Sequence, residues 1–141
     1  RGVEPFDTPV HCVRRAKDGL LYVCDRTNNR IQVFKKDGAF VKELVVAAAT
    51  RGGGSAWDVD LSHDTPQAWL YDADGENDHV WLLTRHDGQV VGKLGQSGRA
   101  PGEFRAIHNL AVDAKGNLYT TEVGQGKRAQ KFTFKGYGAG G

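Results

Sequence analysis

A pair of short runs decides the fold of this chain: LYVCD at residues 21–25, followed by RIQVF at residues 30–34. The pair recurs as LYDAD at 70–74 with HVWLL at 79–83, and as LYTTE at 118–122 with RAQKF at 128–132. The tyrosines of the three copies are 49 and then 48 residues apart. A fixed period of this length is typical of repeat architectures, so each copy is interpreted as one structural unit.

Each unit contains short β-branched or aromatic runs separated by turn signals, which indicates strands and hairpins rather than helices. Turns that contain Asp-Gly separate several of the runs. The predicted strands are 11–15, 20–25, 30–35 and 40–45 in the first unit, 57–61, 68–72, 80–84 and 89–94 in the second, and 107–113, 117–122 and 128–134 in the third. The third unit therefore stops before a fourth strand.

Four strands within 40 to 50 residues match one blade of a β-propeller. We therefore predict an all-β chain with one blade at 1–50, a second at 51–104, an incomplete third at 105–136 and a Gly-rich tail at 137–141. A β-sandwich is the structural alternative. Because three blades cannot close a ring and open sheet edges invite pairing, we expect the chain to require further blades, a second chain or a second copy of itself.

Charge and hydropathy narrow the classes of partner. The 19 basic and 17 acidic residues give a net charge of +2, with the signs interspersed along the chain. No basic face for nucleic acid is indicated. No apolar run approaches the roughly 18 residues that predict a membrane span. A peptide or a small molecule is the expected ligand.

The chain has two cysteines, Cys12 and Cys24, which form no metal-binding motif with each other. Both lie in strand-like runs joined by a short turn, so a cross-strand disulfide is one interpretation. Two buried free thiols is the interpretation that we favour.

Two stretches resemble the signature of NHL repeats: DRTNNRIQVF at 25–34 and AVDAKGNLY at 111–119. NHL domains are usually six-bladed propellers, so the resemblance implies that this chain is the C-terminal half of such a ring. It also implies that a strand from the absent half completes the third blade.

A narrower resemblance comes from aligning the units through their tyrosines. His11 and His108, which are 97 residues apart, then occupy equivalent positions two units apart, and Trp57 holds the same position in the middle unit. This alternation resembles peptidyl-α-hydroxyglycine α-amidating lyase, in which three histidines of alternate blades hold a zinc ion in the central channel. The resemblance implies that His11 and His108 are zinc ligands and that the absent half carries the third ligand.

Arg26 stands where that lyase carries an active-site arginine, so the resemblance implies a catalytic role for it. The implied reaction cleaves a carbon–nitrogen bond and releases a peptide amide and glyoxylate, and a planar guanidinium suits the substrate carboxylate. Asn109 replaces an aspartate that binds calcium in the lyase, and Ala106 replaces a methionine. The resemblance therefore supports a zinc site in this chain more strongly than a calcium site.

Simpler interpretations of the same residues stay open. The two histidines could line a watery channel, Arg26 could pair with Asp25 or Glu122 at the surface, and Trp57 could plug the channel wall, pack between blades or stack on a substrate. The remaining histidines, His63, His79 and His86, are interpreted as structural or solvated. The protein is thus either a lyase-like enzyme or a non-enzymatic scaffold that binds a protein or a small ligand. Related propellers are often exported, so we expect a periplasmic or secreted protein.

Overall fold

The computed structural model describes residues 5–136, which form eleven β-strands in three antiparallel sheets. The Gly-rich tail predicted at 137–141 lies outside the described residues. Within residues 5–136 no helix is long and apolar enough to cross a membrane. The strands are β1 (Val10–Arg15), β2 (Leu21–Asp25), β3 (Arg30–Phe34), β4 (Phe40–Val45), β5 (Asp58–Leu61), β6 (Trp69–Asp74), β7 (His79–Thr84), β8 (Val90–Leu94), β9 (Ile107–Val112), β10 (Leu118–Glu122) and β11 (Ala129–Phe132).

Each sheet is a meander in which sequential strands pair, as in a propeller blade. The first strands of the sheets, β1, β5 and β9, contact one another in succession and thus form the inner edge of the arrangement. The third sheet has three strands within the described residues, with β11 at its outer edge. The all-β fold and the partial propeller of about three blades are confirmed, and every strand end lies within two residues of its predicted position.

The hydrophobic core lies between neighbouring sheets, in two clusters. The first cluster packs sheet one against sheet two, and its largest buried side chains are Tyr22, Ile31, Leu44, Leu61, Leu70 and Leu83. The second packs sheet two against sheet three and is centred on Phe104, Ile107, Leu110 and Leu118. Because apolar burial occurs face to face between blades, each blade is stabilised by its neighbours.

A buried carboxylate clamps the hairpin after the second strand of each blade. In blade one, Asp25 accepts hydrogen bonds from Arg30 Nε at 2.7 Å and Gln32 Nε2 at 3.3 Å. In blade three, Glu122 pairs in the same way with Arg128 and Gln130. Burial alone would raise the pKa of Asp25, but the hydrogen bonds from Asn28 and Arg30 hold it below its ordinary value. The recurrence of an acidic residue at this strand end therefore has a structural cause.

Cys12 and Cys24 form a disulfide, so the favoured interpretation of two free thiols is wrong. The hairpin of β1 and β2 places the two residues directly opposite each other in register, with a Cα–Cα distance of 4.9 Å. That separation lies within the range that a disulfide spans. The register of the hairpin, which the turn determines, decides the pairing.

Asp72 of the second blade is fully buried, and both of its carboxylate oxygens lack a hydrogen-bond partner among residues 5–136. Burial, with the nearby charges of Asp74 and Asp58, raises the pKa of Asp72 well above its ordinary value. The folded state therefore holds the proton to a higher pH than the unfolded chain, which releases it near pH 4.

We expect Asp72→Asn to raise the free energy of unfolding at pH 7 by about 1–3 kcal/mol, because ionisation of Asp72 favours the unfolded chain. The stability of the parent protein should fall as the pH rises from about 4 toward the raised pKa, and the variant should lose this slope. Urea unfolding at pH 4 and pH 7 measures both effects. Asp72→Val, which copies Val23 of blade one, should give a similar gain at pH 7. Equal pH slopes in parent and variant would contradict the argument.

Candidate functional site

Both candidate metal ligands lie on β-bulges at the inner edge of the propeller. In blade one, Val10 pairs with Asp25 and Cys12 pairs with Cys24, so His11 is the extra residue between two ladder positions. In blade three, Ile107 pairs with Glu122 and Asn109 pairs with Thr121, and His108 is the extra residue in the same way. A bulge redirects a side chain out of the regular alternation of a strand, and bulges are frequent next to active sites.

Blades one and three bring the two histidines into contact across the middle blade. The ring centroids of His11 and His108 are 4.7 Å apart, with the rings inclined at 60°. Trp57, immediately before β5, contacts both imidazoles, at 5.5 Å from His11 and 5.4 Å from His108. The indole is fixed in turn by a hydrogen bond of 2.7 Å from its Nε1 to the Gly54 carbonyl oxygen. The three equivalent inner positions thus form one cluster.

Hydrogen bonds fix the same tautomer on both histidines. His11 Nδ1 lies 2.5 Å from the Trp57 carbonyl oxygen, which accepts the ring proton. His108 Nδ1 lies 2.8 Å from Asn109 Oδ1, and the Asn109 amide donates onward to Asp58 Oδ2 at 3.3 Å. When each ring is neutral, Nδ1 carries the proton and Nε2 keeps its lone pair. Such backbone and side-chain acceptors at Nδ1 are typical of histidines that bind a metal through Nε2.

Arg26 stacks on the face of the same tryptophan. It lies in the turn after β2, and its guanidinium carbon is 4.4 Å from the Trp57 ring centroid. Its Nε is buried and has no hydrogen-bond acceptor among residues 5–136. In that part of the chain, no carboxylate lies within ion-pair distance of its guanidinium. A buried donor without an acceptor is costly, so the geometry favours a ligand that supplies one.

The electrostatics of the cluster favour the neutral form of the His11 imidazole. Burial lowers the pKa of His11 below its ordinary value against an opposing hydrogen bond to the Trp57 carbonyl, and the charges of His108 and Arg26 lower it further. A neutral imidazole is the form that binds a metal ion. The same site concentrates positive charge at Arg26, which suits an anionic ligand.

The structure places the predicted site residues as follows. His11, His108 and Arg26 all meet at Trp57. The alternative pairing of Arg26 with Asp25 or Glu122 is wrong, because Arg30 and Arg128 occupy those carboxylates. Of the other histidines, His63 is bonded to the Val112 carbonyl oxygen, His79 is bonded to the Gly95 carbonyl oxygen, and His86 lies exposed in a turn.

Two features of the site were absent from the sequence prediction. The role of Trp57 as the common contact of both histidines and Arg26 could have been found from its position, which is equivalent to that of the histidines. The acceptor role of Asn109 depends on the bulge at His108, for which the sequence carries no signal. Within residues 5–136 no group of three or more histidine, cysteine or acidic side chains is arranged to hold a metal.

The fold defines the class: this chain is part of a β-propeller. Residues 7–34 match the family model of the NHL repeat. No curated protein matches the chain in sequence.

Solved structures agree on the fold. Streptogramin B lyase superposes with a TM-score of 0.67 at 15% identity, over 96% of this chain and 41% of that protein. A catalytically inactive virginiamycin B lyase from Staphylococcus aureus, with quinupristin, gives a TM-score of 0.60 at 13% identity, over 94% of this chain and 44% of that protein. A functionally unknown protein from Desulfotomaculum acetoxidans gives 0.55 at 13% identity, over 78% of this chain and 34% of that protein. The chain thus spans less than half the length of these propellers, and six blades in the complete ring stays a prediction.

Proposed function

We propose that this chain forms part of an NHL propeller whose central site binds zinc through His11 and His108 and a substrate carboxylate through Arg26. The reaction that we propose is that of an amidating-lyase-like carbon–nitrogen lyase. One observation carries the proposal: two bulged histidines and a guanidinium that has no ion-pair partner among residues 5–136 converge on one indole. The likeness to streptogramin and virginiamycin lyases supports the fold alone.

The histidine pair passes a simple distance test for a shared ion. Zinc–imidazole bonds of about 2.0–2.1 Å place the metal about 3 Å from a ring centroid, so two ligands of one ion have centroids within about 6 Å. The observed separation of 4.7 Å meets that limit. In the neutral form of both rings the proton lies on Nδ1 and Nε2 carries none, as zinc requires. Two imidazoles are an incomplete set, so the third ligand is proposed to lie in blades outside this chain.

Arg26 is proposed to orient the substrate. Its guanidinium presents a planar pair of donors to a carboxylate, and the Trp57 face holds that plane in a fixed orientation. The buried Nε gains the acceptor that it lacks when the carboxylate binds. Zinc, when bound, supplies Lewis-acid polarisation of a substrate oxygen. The residues of this chain bind and orient the substrate, and the base that removes the hydroxyl proton is proposed to lie in the other blades.

The disulfide supports a location outside the reducing cytosol. Cross-links of this kind persist in the periplasm and in secreted proteins. Cys12 is adjacent to His11, and Cys24 is two residues before Arg26, so the bond also joins the strand that carries His11 to the strand that leads into the turn of Arg26. We therefore extend the proposal to an exported protein whose site is braced by this disulfide.

Arg26→Lys is expected to lower kcat/KM for a peptide that ends in α-hydroxyglycine by about 10–100-fold, because an ammonium cannot replace two parallel donors. The zinc content of the complete protein should not change, since Arg26 is not a ligand. Glyoxylate release and metal analysis of the same samples measure the two effects.

Arg15→Lys provides the matched control, because Arg15 is an exposed arginine of β1 that lies away from the cluster. Its activity should equal that of the parent protein. If the zinc-loaded parent protein releases no glyoxylate, the lyase activity is refuted and a ligand-binding propeller is the better interpretation. If the Arg26→Lys variant has the same kcat/KM as the parent protein, the role of Arg26 is refuted.

A further inference from the structure

We infer that a second ligand site, for a planar aromatic monocarboxylate, lies between blades one and two at the opposite end of the strands from the histidine cluster. His11 is near the start of β1, whereas the cleft begins beyond its end, at Asp18. The inference does not depend on zinc or on the proposed lyase activity.

The size and walls of the cleft suit a small apolar molecule. Its volume is about 500 Å³, within the range of ligand sites in proteins. Leu20 and Tyr22 of blade one form one wall, and Pro66 and Trp69 of blade two form the other. Leu20 and Trp69 are both half-buried, so each keeps apolar surface open to the cleft. Two apolar walls facing each other favour a flat ring between them.

Arg85 is a rigid part of the cleft, and its charge is already paired with Asp18. Its Nε donates to the Tyr22 hydroxyl at 2.7 Å, one terminal nitrogen donates to the Pro66 carbonyl oxygen at 3.3 Å, and the other pairs with Asp18. The guanidinium carbon lies 5.4 Å from the Tyr22 ring centroid. These contacts tie blade one to blade two and pre-form the cleft.

Lys42 is the cation available to a ligand. Its ammonium donates to the carbonyl oxygens of Arg85 and His86 at 2.8 and 2.6 Å, and these two bonds use two of its three protons. Among residues 5–136, no carboxylate lies within ion-pair distance of this half-buried ammonium. Burial, assisted by the charge of Arg85, lowers the pKa of Lys42. An anion beside Lys42 would therefore stabilise a charge that Asp18 and Asp87 favour only from a distance.

These features select the class of ligand. One available ammonium matches one carboxylate, whereas a phosphate ester requires several donors to balance its charge. Asp18 is already paired with Arg85, and Asp87 is held in its turn by Thr84, so both carboxylates have partners within the protein. A cationic ligand has no acceptor at Lys42. The ring lies between the walls and its carboxylate meets Lys42.

Calorimetric titration of the full chain with indole-3-acetate tests the inference. We expect saturable binding, and we expect neutral indole-3-acetamide, cationic tryptamine and inorganic phosphate to bind at least about tenfold more weakly. Lys42→Met should weaken indole-3-acetate binding by about tenfold or more. Trp69→Leu should also weaken it, because the flat face is lost.

Lys93→Met is the matched control, since Lys93 lies near the Trp81 ring, 5.8 Å from its centroid, and outside the cleft. It should bind indole-3-acetate like the parent chain. Circular dichroism separates a loss of binding from a loss of fold, and Lys42→Gln gives a second variant if Lys42→Met does not fold. Equal binding of the acid and the amide, unchanged binding in both Lys42 variants, or no binding of the acid would each overturn the inference.

Discussion

Gly54→Ala is expected to lower the free energy of unfolding by about 3 kcal/mol or more and to displace Arg26 from Trp57. Gly54 has a φ of +77°, and a Cβ there would lie 2.0 Å from the Arg26 carbonyl oxygen. The obstructing atom belongs to the backbone, so no side-chain rotation relieves the overlap. The turn after β2 must move, and the guanidinium moves with it. Urea unfolding gives the free energy, and tryptophan fluorescence reports the change around Trp57.

Gly19→Ala separates the effect of contact from that of backbone strain. Gly19 has a similarly positive φ of +90°, but no atom lies within 4 Å of a Cβ built there. We expect this change to cost about 1 kcal/mol from the left-handed backbone conformation alone. If the two variants lose the same free energy, close packing at Gly54 is not what holds the turn of Arg26.

His11→Ala and His108→Ala are each expected to weaken zinc binding by the complete protein by more than about a hundredfold. Loss of a residue that only supports a ligand already costs about 10–100-fold, and these changes remove the ligand itself. Because the two imidazoles occupy equivalent bulges, we expect losses of similar size. Glyoxylate release should fall together with the metal, since the Lewis acid leaves with its ligand. Competition with a chromophoric chelator measures the affinity.

His86→Ala is the control for these two variants, because His86 is exposed in a turn at the end of the strands opposite the histidine cluster. It should bind zinc like the parent protein. If either inner histidine can be removed without loss of zinc, the shared site is wrong, and a channel lined by polar residues is the better account.

The repeats predicted most of the fold because the structure of a blade is determined by short-range interactions. Apolar alternation and Asp-Gly turns placed the strands, and the recurring tyrosines gave the blade period. These are short-range properties, so the strand ends agree closely with the structure. The same alignment placed His11, His108 and Trp57 at equivalent positions, which the structure brings into one cluster.

The cysteine pairing shows where local reasoning stops. Strand positions for Cys12 and Cys24 were predicted correctly, but their facing register depends on how the hairpin turn closes. A change of one residue in register moves a side chain to the other face of the sheet. The strand prediction therefore located both cysteines correctly but did not favour the disulfide that they form.

The sequence by itself determined the blades, their order and which residues repeat at the inner edge. Only the tertiary structure decided how those residues meet: the bulges at His11 and His108, the stacking of Arg26 on Trp57, the amide of Asn109 behind His108 and the cleft beside Lys42. The physical reason is the range of the interactions. Periodicity reflects hydrogen bonding within a blade. The stacking of Arg26 on Trp57 and the cleft beside Lys42 instead join side chains of different blades. The bulges, on one of which the pair of His108 and Asn109 depends, interrupt the period itself.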